Sequence, residues 1–311
     1  MFDSEFLTKL EYLSMVSRRA FQGGLLSRQR KKRFDRGVEF ADHREYVPGD
    51  DLRSLDWNVY ARFGQLMLKR FVEEEDLPVY FFLDCSKSMN FGNPNKFDYA
   101  CKVTAALAYI ALADWDRVSI ITFADGLLDV YPLTRGKQHI IGLMRFLERA
   151  DTTGTATDLA RVAREFSHRK SRPGLAVLVS DFFEADAFRQ GMDLLRFQQY
   201  EPYVIQIHDP SEADPQLSGD FQLADMETGL TNETTISESM LRLYKVKFDA
   251  FLDSIKSYCL TNDFGCTITH TRVPFDRLIL QMMRTNEKEK SSHGNLHQAV
   301  HNDPNLGGVH K

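Results

Sequence analysis

Two patterns of apolar and polar positions alternate along most of the chain. Short continuous apolar runs are typical of strands buried on both faces of a sheet, and they occur at Val79–Leu83, Val118–Phe123, Leu175–Val179 and Tyr203–Ile207. Between them lie stretches with apolar residues at helical spacing, at Lys96–Asp114, Gly136–Arg149, Leu159–Phe166 and 186–198. Because strands alternate with helices, the pattern predicts an α/β fold with a doubly wound, mainly parallel sheet.

The pattern changes on both sides of this alternating region. Before it, the chain is dense in charged and aromatic residues and contains a turn at Pro48-Gly49. After it, the sequence predicts a hairpin at a sheet edge, a long helix, a last strand and a final helix, at Phe221–Ala224 with Thr234–Ile236, Met240–Tyr258, Cys266–Thr271 and Phe275–Met283. We therefore divide the chain into a small N-terminal α/β region, the doubly wound domain and a disordered polar tail, at 1–76, 77–284 and 285–311.

Composition narrows the class of protein. The 311 residues are 43% hydrophobic and 27% charged, with a formal net charge of −5, which argues against a dedicated nucleic-acid binder. The four cysteines show no Cys-x-x-Cys spacing, and the N-terminus lacks the basic region of a signal peptide. The most apolar helical stretch, Val103–Ala113, is about half the length that a membrane span needs. We expect a cytoplasmic protein without an integral membrane segment.

Oxygen-bearing side chains follow two of the predicted strands and precede one predicted helix. Asp84, Ser86 and Ser88 come directly after the first buried strand, and Asp181 follows a later strand. Thr157 lies in the loop before a helix. Ligand sites in open α/β sheets form at the carboxyl ends of strands, so these side chains are expected to meet. Carboxylates and hydroxyls suit a hard cation such as Mg²⁺.

These five residues, in this order on alternating strands and helices, resemble the metal-ion-dependent adhesion site of von Willebrand factor A domains. The resemblance implies that Ser86, Ser88 and Thr157 coordinate Mg²⁺, whereas Asp84 and Asp181 bind it mainly through water. Mn²⁺ and Ca²⁺ are the alternative metals. It also implies that an acidic side chain of a partner protein completes the coordination. The expected function is therefore protein binding, without catalytic residues or another cofactor.

A second resemblance covers the segment before the first strand. Residues 37–51, with the sequence Gly-Val-Glu-Phe-Ala-Asp-His-Arg-Glu-Tyr-Val-Pro-Gly-Asp-Asp, continue through Leu52–Asn58 and Ala61–Gly64 to Lys69 and Glu73–Glu75. This segment is similar to the signature of the domain-of-unknown-function 58 family. Members join it to an A-type domain and are associated with MoxR-type AAA+ ATPases. The resemblance implies an adaptor or maturation role beside such an ATPase, with the ATPase or its client as partner.

Two other functions use the same residues. The first is a metal-dependent hydrolase, in which Asp84 would resemble the aspartate that follows a buried strand in phosphatases of the haloacid dehalogenase type. Those enzymes need a second aspartate two residues on, where this chain has Ser86. In a scaffold, the site would have lost its metal and serve structure alone. Cys85 lies inside the motif without a base beside it in sequence, which favours a packed residue over a nucleophile.

Overall fold

The computed structural model describes residues 1–20, 43–47, 55, 57–69, 77–153, 156–169, 171–217, 219–224 and 231–283. The chain forms two compact units, of which the larger combines Met1–Leu25 with Leu77–Lys311 and the smaller is Leu26–Asp76. The predicted tail at 285–311 and much of the signature segment at 37–64 lie outside the described residues.

The elements are numbered here in chain order. They are α1 (Ser4–Ala20), β1 (His43–Glu45), α2 (Trp57–Phe63), β2 (Met67–Lys69), β3 (Pro78–Asp84), α3 (Lys96–Ala113), β4 (Arg117–Phe123), β5 (Leu127–Arg135), α4 (Ile140–Arg149), α5 (Leu159–Ser167), β6 (Leu175–Ser180), α6 (Ala185–Phe197), β7 (Glu201–His208), α7 (Pro210–Ala213), β8 (Gly219–Ala224), β9 (Thr231–Ile236), α8 (Glu238–Thr261), β10 (Gly265–His270) and α9 (residues 275–283). In the smaller unit, β1 and β2 pair antiparallel.

The main sheet of the larger unit has the strand order β10-β7-β6-β3-β4-β5. Its neighbouring strands are parallel except for the pair β4 and β5. The predicted doubly wound, mainly parallel sheet is therefore confirmed. After β3 the chain adds β4 on one side and then returns to add β6 on the other side. The carboxyl ends of β3 and β6 therefore meet at a topological switch point, where such sheets form their ligand sites.

Two details differ from the sequence-based expectation. Strand β5 was not predicted, because none of its residues is fully buried and it has no continuous apolar run in the core. The predicted hairpin is present as β8 and β9, but it forms a separate two-stranded sheet and does not extend the main one. In the described part of the chain, β10 and β5 occupy the two edges of the main sheet.

Helices cover both faces of the sheet because its central strands are apolar on both faces. On one face, Tyr80 and Phe82 of β3 pack in a cluster with residues of α5, α6 and α8. On the other face, α3 lies against β3, and α1 and α4 pack on α3. In the part of the chain that the structure describes, none of the helices combines the length and apolarity that a membrane span requires.

Helix α1 belongs to the larger unit, which differs from the sequence-based division at residue 76. Its apolar side chains Phe6, Leu10 and Leu13 are buried, and the Phe6 ring lies 4.8 Å from the ring of Phe275 in α9. Helical spacing predicted this apolar face, but the spacing does not say which part of the chain covers it.

His208, at the end of β7, is a buried base whose protonation is unfavourable in the folded state. It is 8% exposed, and its Nδ1 lies 3.0 Å from Oε1 of Gln206. Burial above all, then His270 and Lys96, lower the pKa of His208 to about 4, whereas Asp209 acts in the opposite direction. An unfolded histidine has a pKa near 6.5, so between these two values the unfolded chain binds the proton more strongly.

We predict that His208 contributes a loss in the free energy of unfolding as the pH falls from about 6.5 to about 4, seen as the difference between the wild type and His208→Asn. The loss due to His208 reaches about 3 kcal/mol, at about 1.4 kcal/mol per pKa unit, and it stops once both states are protonated. Urea unfolding across this pH range measures it. His208→Asn removes the titrating group, so the wild type should lose more stability than this variant as the pH falls, while the same change at exposed His168 should leave the pH dependence as in the wild type. Equal slopes for the wild type and His208→Asn would contradict the prediction.

Candidate metal-binding site

The carboxyl ends of β3 and β6 bring the predicted site residues to one edge of the sheet. Asp84 is the last residue of β3, and Ser86 and Ser88 follow in the next turn. Asp181 directly follows β6, and Thr157 stands two residues before α5. Three separate segments of the chain therefore supply these side chains.

The carboxylate of Asp84 connects the three segments. Asp84 is completely buried. Its Oδ1 accepts a hydrogen bond from the backbone N–H of Ser86 at 2.8 Å. Its Oδ2 accepts from the hydroxyl of Ser180 at 2.5 Å and from the hydroxyl of Thr157 at 3.4 Å. Because a buried carboxylate is costly without partners, this set of hydrogen bonds holds the three segments together.

Backbone contacts fix the loops that carry the hydroxyls. The N–H of Cys85 donates to the carbonyl of Phe123 at 2.7 Å, and the carbonyl of Cys85 accepts from the N–H of Thr153 at 3.1 Å. Asp158 caps α5 by accepting from the N–H of Arg161 at 2.8 Å. In the turn after β3, the hydroxyl oxygens of Ser86 and Ser88 lie 3.0 Å apart. These contacts therefore fix the positions of the two segments that carry the hydroxyls of Ser86, Ser88 and Thr157.

Asp181 is held by a group outside the predicted set. The Lys96 ammonium donates to Oδ2 of Asp181 at 2.9 Å and to Oε1 of Glu212 at 2.6 Å. The carbonyl of Asp181 accepts from Nε2 of Gln206 at 3.4 Å. Asp181 is 2% exposed, so its charge is compensated inside the protein and not by solvent.

The site has a negative electrostatic character. Burial above all, and then the nearby carboxylate of Asp181, raise the pKa of Asp84 to about 7, although the hydrogen bonds from Ser180 and Ser86 lower it. For Lys96, burial lowers the pKa, but the carboxylates of Asp181 and Glu212 outweigh it, so the pKa is raised and the ammonium stays charged. A cation bound near Asp84 would favour the ionised carboxylate.

The donor set fits a hard divalent cation. The carboxylates of Asp84 and Asp181 interact here, and Ser86, Ser88 and Thr157 lie in the segments that contact Asp84. Oxygen ligands are those that Mg²⁺ prefers. Within the described ranges, no cluster of three or more His, Cys, Asp or Glu side chains could hold a metal ion, so a cation at this edge would need the hydroxyl oxygens as well as the carboxylates.

Cys85 does not have the environment of a nucleophile. Its side chain is 1% exposed, and burial raises the pKa of the thiol, with a further contribution from the charge of Asp84. Because the thiolate is the reactive form, this environment disfavours reaction. The structure agrees with the interpretation of Cys85 as a packed residue.

The sequence-based interpretation missed Lys96, Ser180 and Glu212. Ser180 precedes Asp181 at a strand end, where its position could have identified it. Lys96 begins a helix, and a cation there opposes the helix dipole, so a charge partner could have been suspected. Nothing in the sequence near Glu212 indicates its contact with Lys96, 116 residues away.

Comparisons with known proteins identify relatives of this chain. Residues 42–249 match the family described as "Protein of unknown function DUF58". An uncharacterised protein of Mycobacterium tuberculosis is 26% identical over 208 residues, or 66% of this chain and 65% of that protein. The match thus spans less than two thirds of that relative. The uncharacterised protein YeaD of Bacillus subtilis is 28% identical over 125 residues, or 40% of this chain and 29% of YeaD.

Among solved structures, the conserved hypothetical protein BatB of Bacteroides thetaiotaomicron is similar to this chain. The similarity has a TM-score of 0.41 and 15% sequence identity, and it covers 68% of this chain and 99% of BatB.

We predict that Ser180→Ala lowers the free energy of unfolding by about 2 kcal/mol, because it removes a hydrogen bond to a buried carboxylate. Ser119→Ala is the matched control, since this buried serine donates to the carbonyl of Tyr131 and its loss should cost about 1 kcal/mol. Urea unfolding of both variants measures the difference. A smaller loss for Ser180→Ala than for Ser119→Ala would show that Asp84 does not depend on Ser180.

Proposed function

The chain belongs to the DUF58 family of proteins of unknown function, and on that premise we propose that it is a metal-dependent protein-binding module. The observation that supports the proposal is that the segments carrying Asp84, Ser86, Ser88, Thr157 and Asp181 meet at the switch point of the sheet, where Asp84 contacts Ser86 and Thr157 and interacts with Asp181. We propose binding and not catalysis as the function, because these hydroxyls and carboxylates are suited to hold a cation, whereas the neighbouring thiol of Cys85 is buried and has a raised pKa.

The proposed roles follow from the chemistry of each side chain. The hydroxyls of Ser86, Ser88 and Thr157 would hold Mg²⁺ directly, and Mn²⁺ or Ca²⁺ could replace it. Asp84 and Asp181 would bind mainly through water. When bound, Mg²⁺ offers an exchangeable coordination position, which an acidic side chain of a partner would fill.

The residues around the site support this division of roles. Both oxygens of Asp84 already accept hydrogen bonds, from Ser86 N–H on one side and from Ser180 and Thr157 on the other. Asp84 is thus suited to orient the hydroxyl-bearing segments and to supply charge. Ser88 and Thr157 are partly exposed, so a ligand could approach their hydroxyls from the surface, whereas Ser86 is buried.

We further propose that the partner is a MoxR-type AAA+ ATPase or its client, and that the chain acts as an adaptor or maturation factor. This part of the proposal rests on the family resemblance of residues 37–75 alone. The metal site and the partner are therefore tested separately.

The first test measures metal binding. We predict that Mg²⁺ raises the melting temperature of the EDTA-treated protein, because a ligand that binds only the folded state stabilises it. Ser86→Ala/Thr157→Ala should abolish the shift. Ser119→Ala/Thr122→Ala is the matched control, since it also removes one serine and one threonine hydroxyl, but from buried positions on β4. This control should retain the shift. A melting temperature that ignores Mg²⁺ and EDTA in the wild type would favour the metal-free scaffold.

The second test identifies the partner. Tagged wild type and Ser86→Ala/Thr157→Ala are incubated with native lysate in Mg²⁺ or EDTA, and captured proteins are identified by mass spectrometry. Ser119→Ala/Thr122→Ala is again the control. We predict that the wild type and this control capture an AAA+ ATPase in Mg²⁺ but not in EDTA, and that Ser86→Ala/Thr157→Ala does not capture it in either. The same captured proteins under all conditions would contradict a metal-dependent contact.

A further inference from the structure

Lys96 stands where a lysine is electrostatically unfavourable. It is the first residue of α3, close to the positive end of the helix dipole, and its side chain is 0% exposed. A buried charge is retained only when it is paired and hydrogen-bonded. The position of Lys96 therefore depends on the groups that surround its ammonium.

Carboxylates and aromatic rings surround this ammonium. Its two ion pairs are with Asp181 at 2.9 Å and with Glu212 at 2.6 Å. The rings of Phe91 and Phe183, both partly exposed, lie 5.7 Å and 5.1 Å from Nζ, within the range of cation–π attraction. Lys96 thus contacts one of the proposed metal residues directly, and two aromatic rings lie near its ammonium.

Glu212 in turn is fixed by the segment after β7. While its Oε1 accepts from Lys96, its Oε2 accepts from the N–H of Asp209 at 2.7 Å, which completes a capping box at α7. The carbonyl of Glu212 accepts from the hydroxyl of Tyr244 in α8 at 2.7 Å. Because both carboxylate oxygens of Glu212 accept hydrogen bonds, this carboxylate is fixed in position. The ammonium of Lys96 is therefore held between Glu212 and Asp181.

The charges in this cluster match one divalent cation. Asp84, Asp181 and Glu212 each carry a negative charge when ionised, and Lys96 carries one positive charge, so two negative charges remain uncompensated. Lys96 also engages Oδ2 of Asp181, which leaves Oδ1 as the oxygen that Asp181 could offer to a metal-bound water.

We propose that Lys96 is a positioning residue that restrains Asp181 and thereby limits the affinity of the site for divalent cations. The inference rests on the proposed metal site and adds its regulation by an internal counter-ion. Lys96 competes with the metal for Asp181, while Glu212 draws Lys96 away from Asp181. Loss of either charge should therefore change metal affinity, and in opposite directions.

The test compares Lys96→Met with Glu212→Gln by titrating EDTA-treated protein with MgCl₂ in a calorimeter. Lys96→Met retains most of the side-chain length but frees Asp181 and leaves three negative charges, so we expect Mg²⁺ to bind about tenfold more tightly. Glu212→Gln leaves Lys96 paired with Asp181 alone, so we expect binding about tenfold weaker. Damage to a merely structural residue would weaken binding in both variants.

Lys245→Met is the control, because it breaks the exposed ion pair of Lys245 with Asp214 and should leave binding unchanged. Equal or weaker binding in Lys96→Met, or equal or tighter binding in Glu212→Gln, would overturn the inference. Should Lys96→Met not fold, Lys96→Gln takes its place, because it removes the same charge and keeps a polar side chain beside Asp181 and Glu212, and tighter Mg²⁺ binding is again the expected result.

The same titration separates this inference from the proposed function. A wild type that does not bind Mg²⁺ contradicts the proposed metal site. In that case, binding acquired by Lys96→Met would support the restraint by Lys96, whereas its absence would overturn that inference as well.

Discussion

The burial of the Asp84 carboxylate is the constraint on which the arrangement of this site depends. A carboxylate without solvent needs hydrogen-bond donors, and Asp84 obtains them from the turn after β3, from the end of β6 and from the loop before α5. These are the segments that carry the proposed metal ligands. Satisfying one buried charge therefore also brings the hydroxyls of Ser86 and Thr157 to the same point.

The sheet makes this convergence possible. Because β3 lies between β4 and β6 and runs parallel to both, its carboxyl end lies beside the carboxyl ends of both neighbours. Side chains at the ends of β3 and β6 face each other across one strand spacing, and Ser180 reaches Asp84 directly. The surrounding core is apolar on both faces, which keeps the electrostatic interactions at this edge strong.

A second buried charge, the ammonium of Lys96, lies on the other side of the site. Lys96 joins Asp181 to Glu212 and through Glu212 to α7 and α8. The site is thus supported on one side by the hydrogen bonds of Asp84 and on the other by an ion-pair network. A change in the charge of Lys96 or Glu212 alters the electrostatic field at the proposed metal-binding side chains, although neither residue is proposed to bind the metal. Lys96 and Glu212 therefore matter to the proposed binding function.

The sequence by itself determined the alternation of strands and helices, and it identified the side chains at the strand ends, because burial on both faces leaves continuous apolar runs and polar residues mark where those runs stop. The antiparallel edge strand β5, the separate hairpin and the packing of α1 on α3 were decided by tertiary structure, since a half-buried strand or an amphipathic face does not specify what covers it. The same holds for the contact of Lys96 with Glu212. Residues 116 positions apart along the chain become ion-pair partners only when the fold brings the start of α3 next to the segment after β7, and no local pattern records that distance.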